Sequence, residues 1–199
     1  MHASNDHHAG SRPFVVGIGG TAGGTSSTER ALAIAMKAAA ARGVDTQMFG
    51  GEFLARLPIY VPKAPQRTAE EIQFVETVRR ADGLVIASPG YHGSVSGMIK
   101  NALDLLEETA RDSRVYLSGM PVGLVVTAYG WQATGSTISA LRSIVHALRG
   151  WPTPMAAAIN TSASRFGDDG TCEDPAVTAQ LGLIGDQVAD FLQLHRKSA

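Results

Sequence analysis

Short apolar runs alternate along the chain with longer segments whose apolar positions recur at helical spacing. The short runs are bounded by Gly, Pro, Ser or Asn, which is typical of buried strands; they are residues 14–18, 46–49, 84–87, 122–126 and 155–159. The longer segments are predicted helices at residues 28–42, 68–81, 98–108, 136–149 and 174–195. Thr68 with Glu71 three residues later predicts the start of one of them. The order strand then helix occurs five times.

This alternation predicts a doubly wound α/β fold, because parallel neighbours need a crossover of about a dozen residues and a helix supplies it. The expected architecture is a five-stranded parallel sheet between two layers of helices. In such sheets ligands bind outside the carboxyl ends of the strands. The loops at residues 19–27, 88–97 and 127–135 are therefore the candidate binding loops. The long segment 50–67, with three prolines, is expected to be an ordered loop.

Length and composition are those of one ordinary globular domain: 199 residues, 44% hydrophobic and 18% charged. We expect residues 13–197 to form that domain and residues 1–12 to be a disordered tail. A formal charge of −1 argues against nucleic acid or an anionic membrane as partner. The single Cys172 excludes an internal disulfide, and no apolar run reaches about 18 residues. These features predict a cytoplasmic protein without a metal site.

The stretch GIGGTAGGTSST, residues 17–28, contains the first candidate loop and admits three interpretations. Its start matches the dinucleotide fingerprint G-x-G-x-x-A, although the second strand does not end in the acidic residue that this fingerprint expects. The spacing also resembles a P-loop, but Thr25 stands in place of the lysine. The third interpretation is a monophosphate held by hydroxyls and by the free N–H groups of a helix start. Its hydroxyls would come from Thr21, Ser26, Ser27 and Thr28.

The second candidate loop begins SPGYHGSVSGMIKNALD at residue 88. Tyr91 offers a flat face, and Gly93 with Ser94 leaves backbone N–H groups accessible. This combination suits a planar heterocycle that carries carbonyl groups on its edge.

The same stretch resembles the NADPH-dependent FMN reductases of the flavodoxin-like superfamily, whose loop typically has the sequence S-P-E-Y-N-G-S-x-P-G-x-L-K-N-A-L-D. The shared residues are Ser88, Pro89, Tyr91, Gly93, Ser94, Gly97, Lys100, Asn101, Ala102, Leu103 and Asp104. The family often has Glu and Asn where this chain has Gly90 and His92, and often has Arg in the first loop. The resemblance extends from Phe14 over nearly the whole chain, including TAYGWQATG after the fourth strand.

The resemblance implies a flavodoxin-like fold with bound FMN. The phosphate is expected on Thr21, Ser26, Ser27 and Thr28. The isoalloxazine ring is expected against a second set of residues: Pro89, Gly90, Tyr91, His92, Gly93, Ser94, Ala128, Tyr129 and Gly130. NADPH or NADH would serve as co-substrate, and no catalytic side chain is expected because FMN carries the hydride chemistry. His92 is a candidate for adjusting the flavin edge.

Three points stay open at this stage. The acceptor can be free flavin, a quinone, chromate, an azo compound or another small molecule. Reduced FMN can be retained by the protein or released to a flavin-dependent monooxygenase. The resemblance implies a homodimer or homotetramer; Trp131, in the third loop, can stack on a substrate or pack against a partner subunit. A flavodoxin-type electron carrier is the alternative function, although it calls for a strongly acidic docking face.

Overall fold

The computed structural model describes residues 12–24 and 26–197, so residues 1–11 of the expected tail lie outside the described residues. Five parallel strands form the main sheet in the order β2-β1-β3-β5-β6. They are β1 (Phe14–Gly19), β2 (Asp45–Phe49), β3 (Gly83–Tyr91), β5 (Pro121–Ala128) and β6 (Trp151–Asn160). A two-residue strand, β4 (Ser94–Val95), pairs antiparallel with the end of β3. The predicted doubly wound α/β fold is confirmed.

Helices cover both faces of the sheet and complete the three layers. They are α1 (Ser27–Ala41), α2 (Gly51–Leu54), α3 (Ala69–Arg80), α4 (Gly97–Asp104), α5 (Trp131–Ala147) and α6 (Pro175–Lys197). One core cluster joins the sheet to α1 and α6, and the other joins it to α3, α4 and α5. Neighbouring residues of β1 divide between the clusters, Val15 in one and Val16 in the other, because strand side chains alternate between faces. In the described part of the chain, no helix has the length and apolarity to cross a membrane.

The structure corrects two predicted helix boundaries and adds one short helix. Helix α5 begins at Trp131 rather than at residue 136, so Trp131 belongs to a first helical turn and not to a loop. Helix α4 ends at Asp104 and continues as a 3₁₀ helix, Leu105–Thr109, which is a common ending of an α-helix. The segment 50–67 contains the short helix α2. The Thr68–Glu71 capping box is present as predicted.

Strand β3 continues past Pro89, although the sequence pattern predicted that it ends at Ala87. Ser88 and Pro89 still pair with β5, at Val126 and Thr127. Beyond them the antiparallel strand β4 supplies partners for Gly90 and Tyr91. The chain therefore reaches the carboxyl edge of the sheet as a β-hairpin rather than as an irregular loop.

The turn of this hairpin consists of His92 and Gly93, both with positive φ, 51° and 86°. Two-residue hairpin turns with positive φ at both positions match the twist of the strands and favour Asn-Gly. Histidine tolerates this left-handed conformation better than most residues with a Cβ. The position of His92 thus has a conformational requirement that is independent of its imidazole.

A pair of substitutions at His92 tests this requirement. We expect His92→Asn to leave the free energy of unfolding unchanged or slightly raised, and His92→Val to lower it by about 1 kcal/mol, because a β-branched residue is strained at positive φ. Urea denaturation of both variants measures the difference. Equal stability of the Asn and Val variants would contradict the turn assignment.

Helices α1 and α6 pack closely because Gly185 has no side chain. A Cβ at Gly185 would overlap the carbonyl oxygen of Ala35 and lie 2.7 Å from the backbone nitrogen of Ala39. Gly182, one turn earlier in α6, is different: a Cβ there would meet no described atom within 4 Å. The two glycines provide a matched comparison within one helix.

We expect Gly185→Ala to lower the free energy of unfolding by about 1–3 kcal/mol, because overpacking forces the helices apart. Gly182→Ala should raise it by about 0.5–1 kcal/mol, since alanine is the better helix former. Both values follow from urea denaturation. A destabilisation of similar size in the two variants would refute the close contact.

Candidate functional site

A cleft of about 440 Å³ lies at the carboxyl edge of the sheet between the loop after β1 and the hairpin after β3. Its lining consists of Gly20, Thr21, Ala22, Gly23, Pro89, Tyr91, Ser96, Gly97 and Met98. The chain leaves β1 toward β2 and leaves β3 toward β5, so the strand order reverses between these two neighbours. Such a reversal is where open α/β sheets bind ligands, and in flavodoxin-like folds it is the FMN position.

The first wall of the cleft is the loop between β1 and α1. Thr21 and Gly24 form an isolated antiparallel bridge, which turns the loop back on itself. Ser26 caps α1: its hydroxyl oxygen accepts the backbone N–H of Glu29 at 3.2 Å. The N–H groups of Ser27 and Thr28 have no partner within the helix, because the first turn of any α-helix leaves its donors free. This loop therefore ends in a helix start with donors suited to an anion.

Thr28 occupies a different environment from the other hydroxyl residues of the loop. Its side chain is 2% exposed, and its hydroxyl lies 2.6 Å from that of Thr127 at the end of β5. Thr28 thus ties the start of α1 to the sheet beneath the cleft. Ser26 and Ser27 are half-buried at the loop's end, and Thr21 lies in the cleft wall itself.

The first loop rests on the turn after β2, through residues that the sequence analysis did not identify. A Cβ at Gly51 would overlap the carbonyl oxygen of Thr21, so only glycine permits this approach. The backbone N–H of Gly51 donates to Oε2 of Glu29 at 3.0 Å. The Gly50-Gly51 pair directly after a predicted strand was the only sequence signal for this contact.

The second wall is the hairpin, which is held from below. The hydroxyl of Ser88 is buried; it accepts the backbone N–H of Ser96 at 3.1 Å and donates to the carbonyl of Pro89 at 2.9 Å. Gly90 allows close packing against α5, since a Cβ there would lie 2.8 Å from the hydroxyl oxygen of Thr137. Tyr91 is 52% exposed and lines the cleft.

The remaining residues of the loop motif are structural. Lys100 and Asp104 form an ion pair at 2.6 Å along α4. The side chain of Asn101 accepts the backbone N–H of Tyr60 at 2.7 Å and donates to the carbonyl of Pro58 at 2.9 Å. These two hydrogen bonds hold the segment after α2 against helix α4, whose first residues line the cleft.

The third loop lies beside the hairpin but outside the cleft lining. The side chain of Asn160 accepts the N–H of Gly130 at 2.9 Å, which fixes the backbone where α5 begins. Ala128 is buried next to Gly90, whereas Tyr129 and Trp131 are 85% and 66% exposed. Two aromatic rings are therefore presented to solvent at this edge of the sheet.

Charge around the first loop is unevenly distributed. Residues 19–28 carry no ionisable side chain, and Glu29 and Arg30 follow them. Arg30 is directed to another loop, donating to the carbonyl of Phe166 and to Asp168, both at 2.9 Å.

In the loop that contains Asp168, the backbone N–H and the hydroxyl of Thr171 form hydrogen bonds to the Asp169 carboxyl and lower its pKa. Within the described ranges, no group of three His, Cys, Asp or Glu residues is placed to hold a metal ion.

The predicted site residues thus fall into three groups. Thr21, Pro89 and Tyr91 line the cleft, with Ser26 and Ser27 at the adjoining helix start. His92, Gly93 and Ser94 form the exposed end of the hairpin, and Gly90 packs beneath it. Thr28, Ala128, Tyr129 and Gly130 lie outside the lining. Ser96, Gly97 and Met98 line the cleft without having been predicted as site residues.

Known proteins resemble this chain in sequence and in fold. An FMN-dependent NADPH-azoreductase of Staphylococcus haemolyticus is 36% identical over 121 residues, 60% of this chain and 61% of that protein. The match therefore spans about three fifths of the relative's length. A Corynebacterium diphtheriae oxidoreductase has a similar structure, with a TM-score of 0.68 and 21% identity over 90% of this chain and 96% of its own.

A second solved structure is the flavoenzyme NAD(P)H:(acceptor) oxidoreductase FerB of Paracoccus denitrificans. Its TM-score is 0.68 at 20% identity, over 93% of this chain and 99% of its own. At this identity the two structural likenesses establish the fold. The family model of NADPH-dependent FMN reductase matches residues 13–164, well over half of the chain. The protein therefore belongs to the NADPH-dependent FMN reductase family.

Proposed function

We propose that this chain is an NAD(P)H-dependent FMN reductase, which transfers a hydride from nicotinamide to FMN and on to free flavin, a quinone or another small acceptor. The observation that carries the proposal is the cleft at the β1/β3 switch point, bounded by a hydroxyl-rich helix start on one side and by the Tyr91 hairpin on the other. Membership of the family supports the same activity.

The residues present fit FMN. A volume of about 440 Å³ is within the range of small-molecule sites. A Cβ at Gly23 or Gly24 would meet no described atom within 4 Å, so the loop backbone borders open space. Neutral hydroxyls and helix-start N–H groups suit a phosphate, and an aromatic side chain with an adjacent backbone edge suits a flat heterocycle.

In this proposal the first loop holds the phosphate, with Thr21, Ser26 and Ser27 as donors. Thr28 contributes its backbone N–H, while its side chain secures the helix start through Thr127. The residues from Pro89 to Ser94 border the ring, and Ala128, Tyr129 and Gly130 flank it.

FMN, when bound, supplies the hydride chemistry, so the chain needs no side-chain acid or base. The work of the protein is to orient the cofactor and to exclude competing reactions. Backbone N–H groups at Gly93 and Ser94 would stabilise negative charge on the ring edge. Little covers this backbone: a Cβ at Gly93 would meet only the hydroxyl of Ser136, at 3.9 Å, among described atoms.

The donor would be NADPH or NADH, and the name of the Staphylococcus haemolyticus relative favours an azo compound among the acceptors.

The exposed rings of Tyr129 and Trp131 offer a surface for a planar substrate or for a second subunit of a homodimer or homotetramer. We also propose that reduced FMN can pass to a flavin-dependent monooxygenase. The protein would be cytoplasmic, which agrees with the free thiol of Cys172, since cytosolic proteins keep their cysteines reduced.

Rapid mixing with nicotinamide donors tests the proposed function. We expect the purified protein to bind FMN, and we expect anaerobic addition of NADPH or NADH to bleach absorbance near 450 nm within seconds. FMN alone, without protein, is the control for direct reduction. FMN binding without bleaching by either donor would favour the alternative function, a flavodoxin-type electron carrier. The net charge of −1 argues against that alternative, because a carrier calls for a strongly acidic docking face. Absence of FMN binding would refute the cofactor assignment.

The glycine contact under the first loop provides a second test. Gly51→Ala should weaken FMN binding by at least about tenfold, because displacing a binding loop by about 1 Å removes its alignment with the ligand. Gly135→Ala is the matched control, since a Cβ there would meet no described atom within 4 Å. Fluorescence titration with FMN measures both affinities, and circular dichroism checks the fold. A folded Gly51→Ala protein with unchanged affinity would contradict the proposed phosphate loop.

A further inference from the structure

The carboxylate of Glu29 lies directly behind the wall of the cleft. Its Oε2 accepts the N–H of Gly51 at 3.0 Å. The same oxygen would lie 2.7 Å from a Cβ built on Gly20, a residue of the cleft lining. Because Gly20 lines the cleft, this carboxylate lies within a few ångströms of the cleft wall.

Within the described part of the chain, Glu29 takes part in none of the ion pairs between side chains. Residues 19–28 contain no lysine or arginine. Arg30 is the next cation along the chain, and two of its guanidinium nitrogens are used by Phe166 and Asp168. A phosphate monoester carries a charge of about −1.5 to −2 at pH 7, so a ligand in this loop would meet a carboxylate of the same sign.

The hydrogen bond to Gly51 has the opposite effect on binding. It joins the turn after β2 to the start of α1, and Gly51 in turn contacts the carbonyl of Thr21. Glu29 therefore shapes the loop through its hydrogen bond and disfavours an anion through its charge. Glutamine at this position would retain the acceptor oxygen and remove the charge, which allows the two effects to be separated.

We propose that Glu29 is a positioning residue that keeps FMN exchangeable: it orders the phosphate loop while its charge weakens the hold on the phosphate. The inference rests on the proposed function, since it concerns the same cofactor site. FMN bound in this way exchanges with the solution, as is needed where reduced flavin is itself the product. A prosthetic FMN would instead call for a loop without this repulsion.

Equilibrium titrations with FMN and with riboflavin test the proposal, because riboflavin lacks the phosphate. We expect Glu29→Gln to lower the Kd for FMN about three- to tenfold through loss of like-charge repulsion, and to leave the Kd for riboflavin unchanged. Glu29→Ala should bind FMN at least about threefold more weakly than Glu29→Gln, because the N–H of Gly51 loses its acceptor. Thermal unfolding confirms that each variant is folded.

Asp186→Asn is the matched control for removal of one carboxylate. Asp186 lies in α6 next to Gly185, which packs against the middle of α1 rather than against its start. This variant should leave the Kd for FMN unchanged. An unchanged or higher Kd for FMN in Glu29→Gln, or a parallel change for riboflavin, would overturn the inference while leaving the proposed function intact. Failure of the wild-type chain to bind FMN would overturn the proposed function itself.

Discussion

All five strands of the main sheet run in the same direction, and the cleft depends on this constraint. Parallel neighbours bring every carboxyl end to one edge, so loops far apart in sequence meet there. The crossovers from β1 and from β3 diverge to opposite sides of the sheet, which leaves a crevice at its carboxyl edge. The sheet can sustain this opening because its central strands are buried on both faces: Ile18 and Ile86 are fully covered on one face, and Val15 and Val85 on the other.

Glycine and small polar residues convert this gap into a shaped cleft. Gly51 admits the carbonyl of Thr21, and Gly90 admits the side chain of Thr137, so each wall is supported by a neighbouring element. Two buried hydroxyls form hydrogen bonds within the protein rather than toward the cleft. The Ser88 hydroxyl accepts the backbone N–H of Ser96, and the Thr28 hydroxyl bonds to that of Thr127. Neighbouring backbone and side chains thus support both walls, and a site supported in this way has a lower ordering cost of binding.

The resemblance to the family was concentrated in one loop motif, and the structure divides that motif into two kinds of residue. Tyr91 and Gly97 border the cleft, whereas Asn101 and Asp104 stabilise the helix behind it and the segment at Pro58. His92 occupies a turn position whose backbone conformation explains why the family often has asparagine there. The shared residues of this motif therefore reflect the packing of the helix and the geometry of the turn as well as contact with a ligand.

Local patterns predicted most of the fold. The strands were visible because strands buried on both faces form short, nearly continuous apolar runs, and the capping box at Thr68 was visible because its two residues are three apart. The start of α5 was missed because the segment from Trp131 to Gly135 has no apolar periodicity, and its beginning depends on Gly130, held by Asn160. Strand β4 was missed because two residues are too few for a pattern.

The sequence by itself therefore determined the order of elements and the loops that border the cleft, and it named Thr21, Pro89 and Tyr91 of the lining residues. Only the tertiary structure decided which of the predicted residues reach the cleft and which residues support them. Glu29 and Gly51 are 22 positions apart, Gly130 and Asn160 are 30 apart, and Tyr60 and Asn101 are 41 apart. No local spacing predicts such pairs, because they meet only after parallel strands bring their ends together and buried backbone groups require partners there.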